Sequence, residues 1–116
     1  MGDAASLRRI DLCAAADVPP GTMKLCEVED ELVLVTNING QFHAAQGICS
    51  HEYFELDRGV LTGDSILCTL HLSRFSLIDG EVIDPPADLP LAVYPVVVED
   101  GRVAIEVPAG ALEVNR

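Results

Sequence analysis

Four residues of this chain have the chemistry of metal ligands and a spacing that lets them act together: Cys49 and His51, then Cys68 and His71. They form two pairs, Cys-x-His and Cys-x-x-His, with sixteen residues between His51 and Cys68. Each pair offers one thiolate sulfur and one imidazole nitrogen, donors that both zinc and iron accept. Structural zinc sites more often draw two sulfurs from one Cys-x-x-Cys turn, so mixed pairs weigh toward iron and leave zinc open. Charge counting gives the mixture a purpose. On a 2Fe–2S core with both irons ferric, two thiolates and two neutral imidazoles give a neutral centre, whereas four thiolates leave it doubly negative. An electron enters a neutral centre more easily, so imidazole ligation raises the reduction potential.

The rest of the chain must bring two loops to one place, and its pattern is nearly all strand. Residues 7–13 and 23–28 read as strands on either side of AAADVPPGT, a turn region with room for one helical turn. Residues 32–38 follow the acidic turn EDE and are apolar on both faces, as a central strand is. Asn39-Gly40 is a strong two-residue hairpin signal, with residues 41–46 as the returning strand. Residues 47–63 hold Gly47, Gly59 and Gly63 without a period and read as a loop. Residues 65–68 form a short strand into the second pair. Residues 75–78 and 81–83 flank Asp79-Gly80 as a hairpin. DPPADLP, residues 84–90, is an extended loop, because proline cannot donate to a ladder. Residues 91–98 and 102–107 make the clearest hairpin, around Glu99-Asp100-Gly101. The expected fold class is all-β, a small antiparallel sandwich or barrel whose loops carry the four ligands.

The length of 116 residues suits one domain, and 49% hydrophobic residues can fill its core. Seven Lys and Arg against 19 Asp and Glu give a net charge of −12. That balance argues against nucleic acid and anionic membrane surfaces as partners and suits proteins with basic patches, although an acidic surface also serves plain solubility. The longest apolar run, LAVYPVVV, is too short to span a bilayer, and the opening MGDAASLRRID lacks the apolar core of a signal peptide. A cytoplasmic location is expected. In that reducing compartment Cys13 and Cys26 are expected as small buried hydrophobes rather than a disulfide. His43 reads as an ordinary strand residue. The chain shows no nucleophile–base pair and no glycine-rich phosphate loop, so a carrier fits better than an enzyme.

The pattern C-x-H-x16-C-x-x-H resembles the Rieske iron–sulfur signature. The likeness extends to Gly59, Gly63 and Asp64 in RGVLTGDSILC, to Phe75, Gly80 and Pro85-Pro86 in HLSRFSLIDGEVIDPPA, and to the closing LPLAVYPVVVEDGRVAIEV. It runs from about residue 7 to 107. The resemblance implies a Rieske fold in a single domain, residues 1–116, with a cluster-binding subdomain formed by two loops at about 47–63 and 68–87. It implies one Rieske-type 2Fe–2S cluster, with Cys49 and Cys68 on the buried iron and His51 and His71 on the outer one. Respiratory Rieske proteins carry an extra loop cysteine where this chain has SHEYF and TLH. Oxygenase large subunits need a second, mononuclear iron domain. What remains is similar to the small Rieske ferredoxins of aromatic-ring-hydroxylating dioxygenases. This implies a soluble, monomeric carrier between a flavin-dependent NAD(P)H ferredoxin reductase and a terminal oxygenase. Two alternatives stay open: the small Rieske subunit of a nitrite reductase or other oxidoreductase, and a structural zinc module from outside the family.

By the same resemblance, Ser73 stands where some members donate a hydroxyl to a cluster sulfide. Phe75 stands where the high-potential members have a tyrosine donor. Tyr53 and Phe54 either shield the cluster or pack as ordinary loop residues, and Pro85 and Pro86 cover it. Leu72 and Glu52 replace glycines common in the family, which adds bulk and charge at the partner-facing tip.

Overall fold

A computed structural model describes residues 7–49, 53–69, 72–85 and 89–108. Among them, eleven short strands form three antiparallel sheets. The first joins β1 (Leu7–Ala14), β11 (Arg102–Pro108) and β10 (Val96–Glu99), in that order. The second runs β2 (Met23–Val28), β3 (Glu31–Ile38), β4 (Gln41–Gln46) and β9 (Val93–Tyr94). The third, which carries Cys68, runs β5 (Val60–Thr62), β6 (Ser65–Cys68), β7 (Ser73–Ser76) and β8 (Val82–Asp84). Two single turns of 3-10 helix, Ala15–Asp17 and Leu56–Arg58, complete the elements.

Turn chemistry explains much of this. Glu29-Asp30, Asn39-Gly40 and Asp100-Gly101 all have positive φ at both central positions. That is the two-residue turn whose twist matches the flanking strands. The first contains no glycine. There Arg8 of β1 donates two hydrogen bonds of 2.8 Å to the Glu29 carboxylate, a fork that anchors the turn. The turn is therefore only two residues long, and β3 begins at Glu31, one residue earlier than expected.

Strand β3 is the central wall. It lies between β2 and β4, and its residues alternate between separate cores. Leu34 joins Ala45, Leu56, Ile66 and Phe75 on the side of the third sheet. Val33 faces Val28, Ala44, Ile105 and Val107, and Val35 faces Val18 and Val103. The unbroken apolar run from Leu32 to Val35 is what a strand buried on both faces requires.

Three expectations need correction. The segment 91–98 is not one strand. Pro95 has no N–H to give a ladder, so β9 pairs with Ala44 and Ala45 of β4, while β10 pairs with β11. The Pro95 carbonyl still accepts from the Glu106 N–H, 3.1 Å away. The hairpin expected over 75–83 begins earlier, at Ser73. The Ser76 hydroxyl accepts the Ile78 N–H and the Asp79 carboxylate accepts the Glu81 N–H, which turns the chain before a longer strand can form. Finally, the segment 47–63 is not all loop. β5 pairs with β6 across Gly63-Asp64, where the glycine takes φ 59.

Cys13 on β1 and Cys26 on β2 are free, buried and hydrogen-bonded to each other. Burial pushes both thiols up, Cys26 to about 12 from an ordinary 9.0. An unfolded chain would release the Cys26 proton near pH 9, whereas the folded chain holds it until about pH 12. The unfolded state therefore binds fewer protons in that window, and stability falls as pH rises from about 9 to 12. Equilibrium unfolding across the window should show this fall. Cys26→Ala should remove up to about 1.4 kcal/mol per pH unit of its slope. A slope the substitution leaves unchanged would acquit the thiol.

Candidate metal centre

Each Cys/His pair identified in the sequence begins at or just after the end of a strand, and local hydrogen bonds close the chain around it. After β4, Ile48 bridges to Glu55, and the Cys49 N–H donates to the Phe54 carbonyl at 2.9 Å. Cys68 ends β6 directly opposite Ser73 of β7, and the Leu72 N–H donates to the Cys68 carbonyl at 2.7 Å. Both cysteines thus sit at the base of a short loop. Cys49 is 6% exposed and Cys68 is 1% exposed. Both are free, and both belong to the core cluster that contains Leu34, Leu56 and Phe75.

His51 and His71 lie outside the described residues, as do Glu52 and Pro86. Among the described residues no three His, Cys, Asp or Glu side chains converge. The sulfur half of the expected ligand set is therefore what the structure brings together. Two unoxidised thiols in one cluster, beneath two adjacent loops, suit a soft metal such as iron or zinc and not a hard, oxygen-seeking cation. His43 sits elsewhere, on β4 opposite Thr36, beside a cleft lined by Phe42, Tyr94 and Pro95.

The flanking residues divide by burial. Ser73 and Phe75 are fully buried on β7. Phe54 packs against the same core as the cysteines, whereas Tyr53 is 73% exposed, its hydroxyl 3.4 Å from the Glu55 carboxylate. The two adjacent aromatics thus have different roles, Phe54 in packing and Tyr53 at the surface. Pro85 is exposed.

Leu56 and Gly59 position the first loop; the sequence reading passed over Leu56 and took Gly59 only as a loop glycine within the family likeness. The side chain of Leu56 is fully buried, and its N–H donates to the Gly47 carbonyl at 2.8 Å. Gly59 lets the chain pass close to the strand that ends in Cys68: a Cβ there would lie 2.2 Å from the Leu67 carbonyl oxygen. Gly80 does the same for the proline-rich segment. It has φ 81, and a Cβ would lie 2.0 Å from the Leu91 carbonyl oxygen. Gly59→Ala should force β6 away and cost about 2 kcal/mol or more, read as a lower urea midpoint. An unchanged midpoint would show that the backbone has room to yield. The run Val60-Leu61-Thr62 before Gly63-Asp64 was the available signal for this strand.

Residues 8–95 match the family model described as Rieske [2Fe-2S] domain. The ferredoxin component of biphenyl 2,3-dioxygenase from Rhodococcus jostii (strain RHA1) is 35% identical over 99 residues, which cover 85% of this chain and 92% of the relative. The ferredoxin component of the alkene monooxygenase system from Xanthobacter autotrophicus is 40% identical over 97 residues, covering 83% and 79%. A solved complex of reduced oxygenase and oxidized ferredoxin in carbazole 1,9a-dioxygenase contains a chain that superposes with a TM-score of 0.78 at 33% identity, covering 84% of this chain and 91% of that one.

Proposed function

The chain belongs to the Rieske 2Fe–2S family, and on that footing we propose that it carries single electrons from a flavin-dependent NAD(P)H ferredoxin reductase to the terminal oxygenase of an aromatic-ring-hydroxylating dioxygenase. One observation carries the reading: two free cysteines are buried together at the bases of two closed loops. The chain also spans 92% of the length of a relative named as a ferredoxin component, so the reading needs no further catalytic domain. It is an electron-transfer component and not itself an enzyme.

Cys49 and Cys68 would hold one iron and His51 and His71 the other. When bound, such a centre stores one electron at a potential that imidazole ligation raises above that of an all-cysteine cluster. The chain's own residues set its surroundings. Leu34, Leu56 and Phe75 keep water from the cysteine side. Ser73, across the ladder from Cys68, supplies a hydroxyl beside the thiolate. Residues 1–116 form a single domain in this reading, active as a monomer. The cytoplasm suits four free cysteines. No helix among the described residues is long and apolar enough to cross a membrane.

The absence of a hydroxyl at Phe75 leaves the sulfurs with one donor fewer than a tyrosine would give. The potential should therefore lie near the low end of the Rieske range, about −150 mV. Film voltammetry gives the value, and Phe75→Tyr should raise it. A wild-type potential well above zero would sink the argument from Phe75.

The 40% identity to an alkene monooxygenase ferredoxin favours a second reading, in which the terminal partner oxidises an alkene rather than an aromatic ring. Metal analysis of anaerobically purified protein comes first. It should find iron and acid-labile sulfide in equal amounts, a pair of each per chain. One zinc without sulfide would end both readings. Turnover with purified oxygenases of each kind then separates them.

A further inference from the structure

Cys13 and Cys26 take no part in the metal centre, yet a departure from regular strand geometry brings them together. β1 carries a bulge: Asp11 pairs with Ala104 and Cys13 with Val103, which leaves Leu12 unpaired. Arg9 and Asp11 are exposed, so in an unbroken strand Cys13 would face solvent with them. The bulge turns it inward instead, into a cluster with Val18, Val35 and Val103. Cys26 enters the same cluster from β2, and the two thiols are hydrogen-bonded to each other. Their strands are edges of different sheets, β1 of the first and β2 of the second, and no ladder among the described residues joins them. Cys13 is 4% exposed and Cys26 6%, whereas the three valines are fully buried. Among the buried members of that cluster, only the cysteines keep any contact with solvent.

We propose that Cys13 and Cys26 are an oxidation site, which hydrogen peroxide closes into a reversible disulfide that pins the first sheet to the second. The Cys13 thiolate attacks one peroxide oxygen. The O–O bond breaks, hydroxide leaves and takes up a proton, and Cys13 becomes a sulfenic acid. The Cys26 sulfur then attacks the Cys13 sulfur, the S–O bond breaks, and water leaves with the Cys26 proton. The two thiols have lost two electrons, and one peroxide has become two waters. The hydrogen bond sets the order of attack. Burial pushes both thiols up, but the bond between them draws Cys13 down and Cys26 further up, so Cys13 ionises first. Little thiolate forms at neutral pH, so the reaction is slow, and the pair stays reduced until oxidant persists. Cys49 and Cys68 belong to a different core cluster, on the other face of β3, so the bridge can close without touching them. The inference does not rest on the carrier reading.

The test exposes the anaerobically purified chain, with its centre in place, to excess hydrogen peroxide. Digestion with trypsin and a glutamyl endoprotease should then yield residues 10–24 joined to residues 25–27 through Cys13 and Cys26. The bridge should form before the visible absorption falls. It closes a short loop and so restricts the unfolded chain, which should raise the unfolding midpoint by about 10 °C, and dithiothreitol should restore the original value. Cys13→Ser, a nearly isosteric change, should give neither the bridge nor the rise. Cys26→Ser should stop at the sulfenic acid on Cys13, which dimedone traps. Thiols at 13 and 26 that both remain open to alkylation after the treatment overturn the proposal. A bridge that appears only after the visible absorption is lost also overturns it, because damage to the centre has then brought the sulfurs together. So does a bridge that lowers the midpoint, because the native geometry then resists the bond. None of these outcomes bears on the carrier reading.

Discussion

Cys68→Ala and His71→Ala are each expected to abolish the red-brown absorption of the anaerobically purified protein, whereas His43→Ala should leave it intact. For Cys68 the argument is geometric. The residue is 1% exposed, ends β6, and shares its core cluster with Cys49, so a methyl group there removes a buried sulfur that no neighbouring atom can replace. For His71 it rests on ligand type and spacing, since the residue lies outside the described part of the chain. The fold should soften in both variants. Phe54 and Leu56 anchor the far side of the first loop, but Tyr53 and Leu72 stand largely in solvent, so metal binding serves as the loops' cross-link. Loss of a structural metal belongs with the largest single-site effects, on the order of 4 kcal/mol, visible as a lower unfolding midpoint. His43, on β4 opposite Thr36, is expected to take no part in that link. A spectrum that vanishes in His43→Ala and survives in His71→Ala would reassign the ligands.

The chemistry of the site was legible because ligand type and spacing need no tertiary context. The same holds for Asn39-Gly40 and Asp100-Gly101, whose residues dictate a turn by local sterics alone. What escaped was set by contacts at a distance. Val60–Thr62 reads as loop between two glycines, and becomes a strand only because β6 lies alongside it. Gly59 was read only as a loop glycine within the family likeness. Its actual requirement is the Leu67 carbonyl, which no local pattern reveals. The run from Leu91 to Val98 is continuously apolar, so it has no period to show that its halves join different sheets. The proline was visible, but the partners of each half were not. The positive φ of Leu72 likewise follows from a loop closure at Cys68 and not from leucine's own preferences.

Electron exchange with both protein partners should slow as salt rises, by about tenfold or more between 0.01 and 0.5 M, because steered encounter raises association rates by 10 to 1,000-fold and is screened away. The net charge of −12 supplies the steering, and its distribution sharpens it. Among the described residues, four arginines are already paired: Arg8 with Glu29, Arg9 with Glu99 and Glu106, Arg102 with Asp11, and Arg74 with Asp84. Three of these arginines belong to the sheet of β1, β10 and β11, away from the cysteine loops. On the first cysteine loop Asp57 is exposed, and Asp64, Asp79 and Glu81 are exposed at the far end of the third sheet, beyond Ser65 and Ser76. A carrier must also leave each partner quickly, which calls for a small contact, below about 1,200 Å² in total. Such a contact has few close-range interactions and depends the more on long-range attraction for its on-rate. With one loop-bearing face serving both partners, reductase and oxygenase should compete. Stopped-flow reduction by the reductase over a salt series reads the steering, and Asp57→Lys should flatten its slope. A rate indifferent to salt would remove the charge argument, and a stable ternary complex with both partners would remove the shared face.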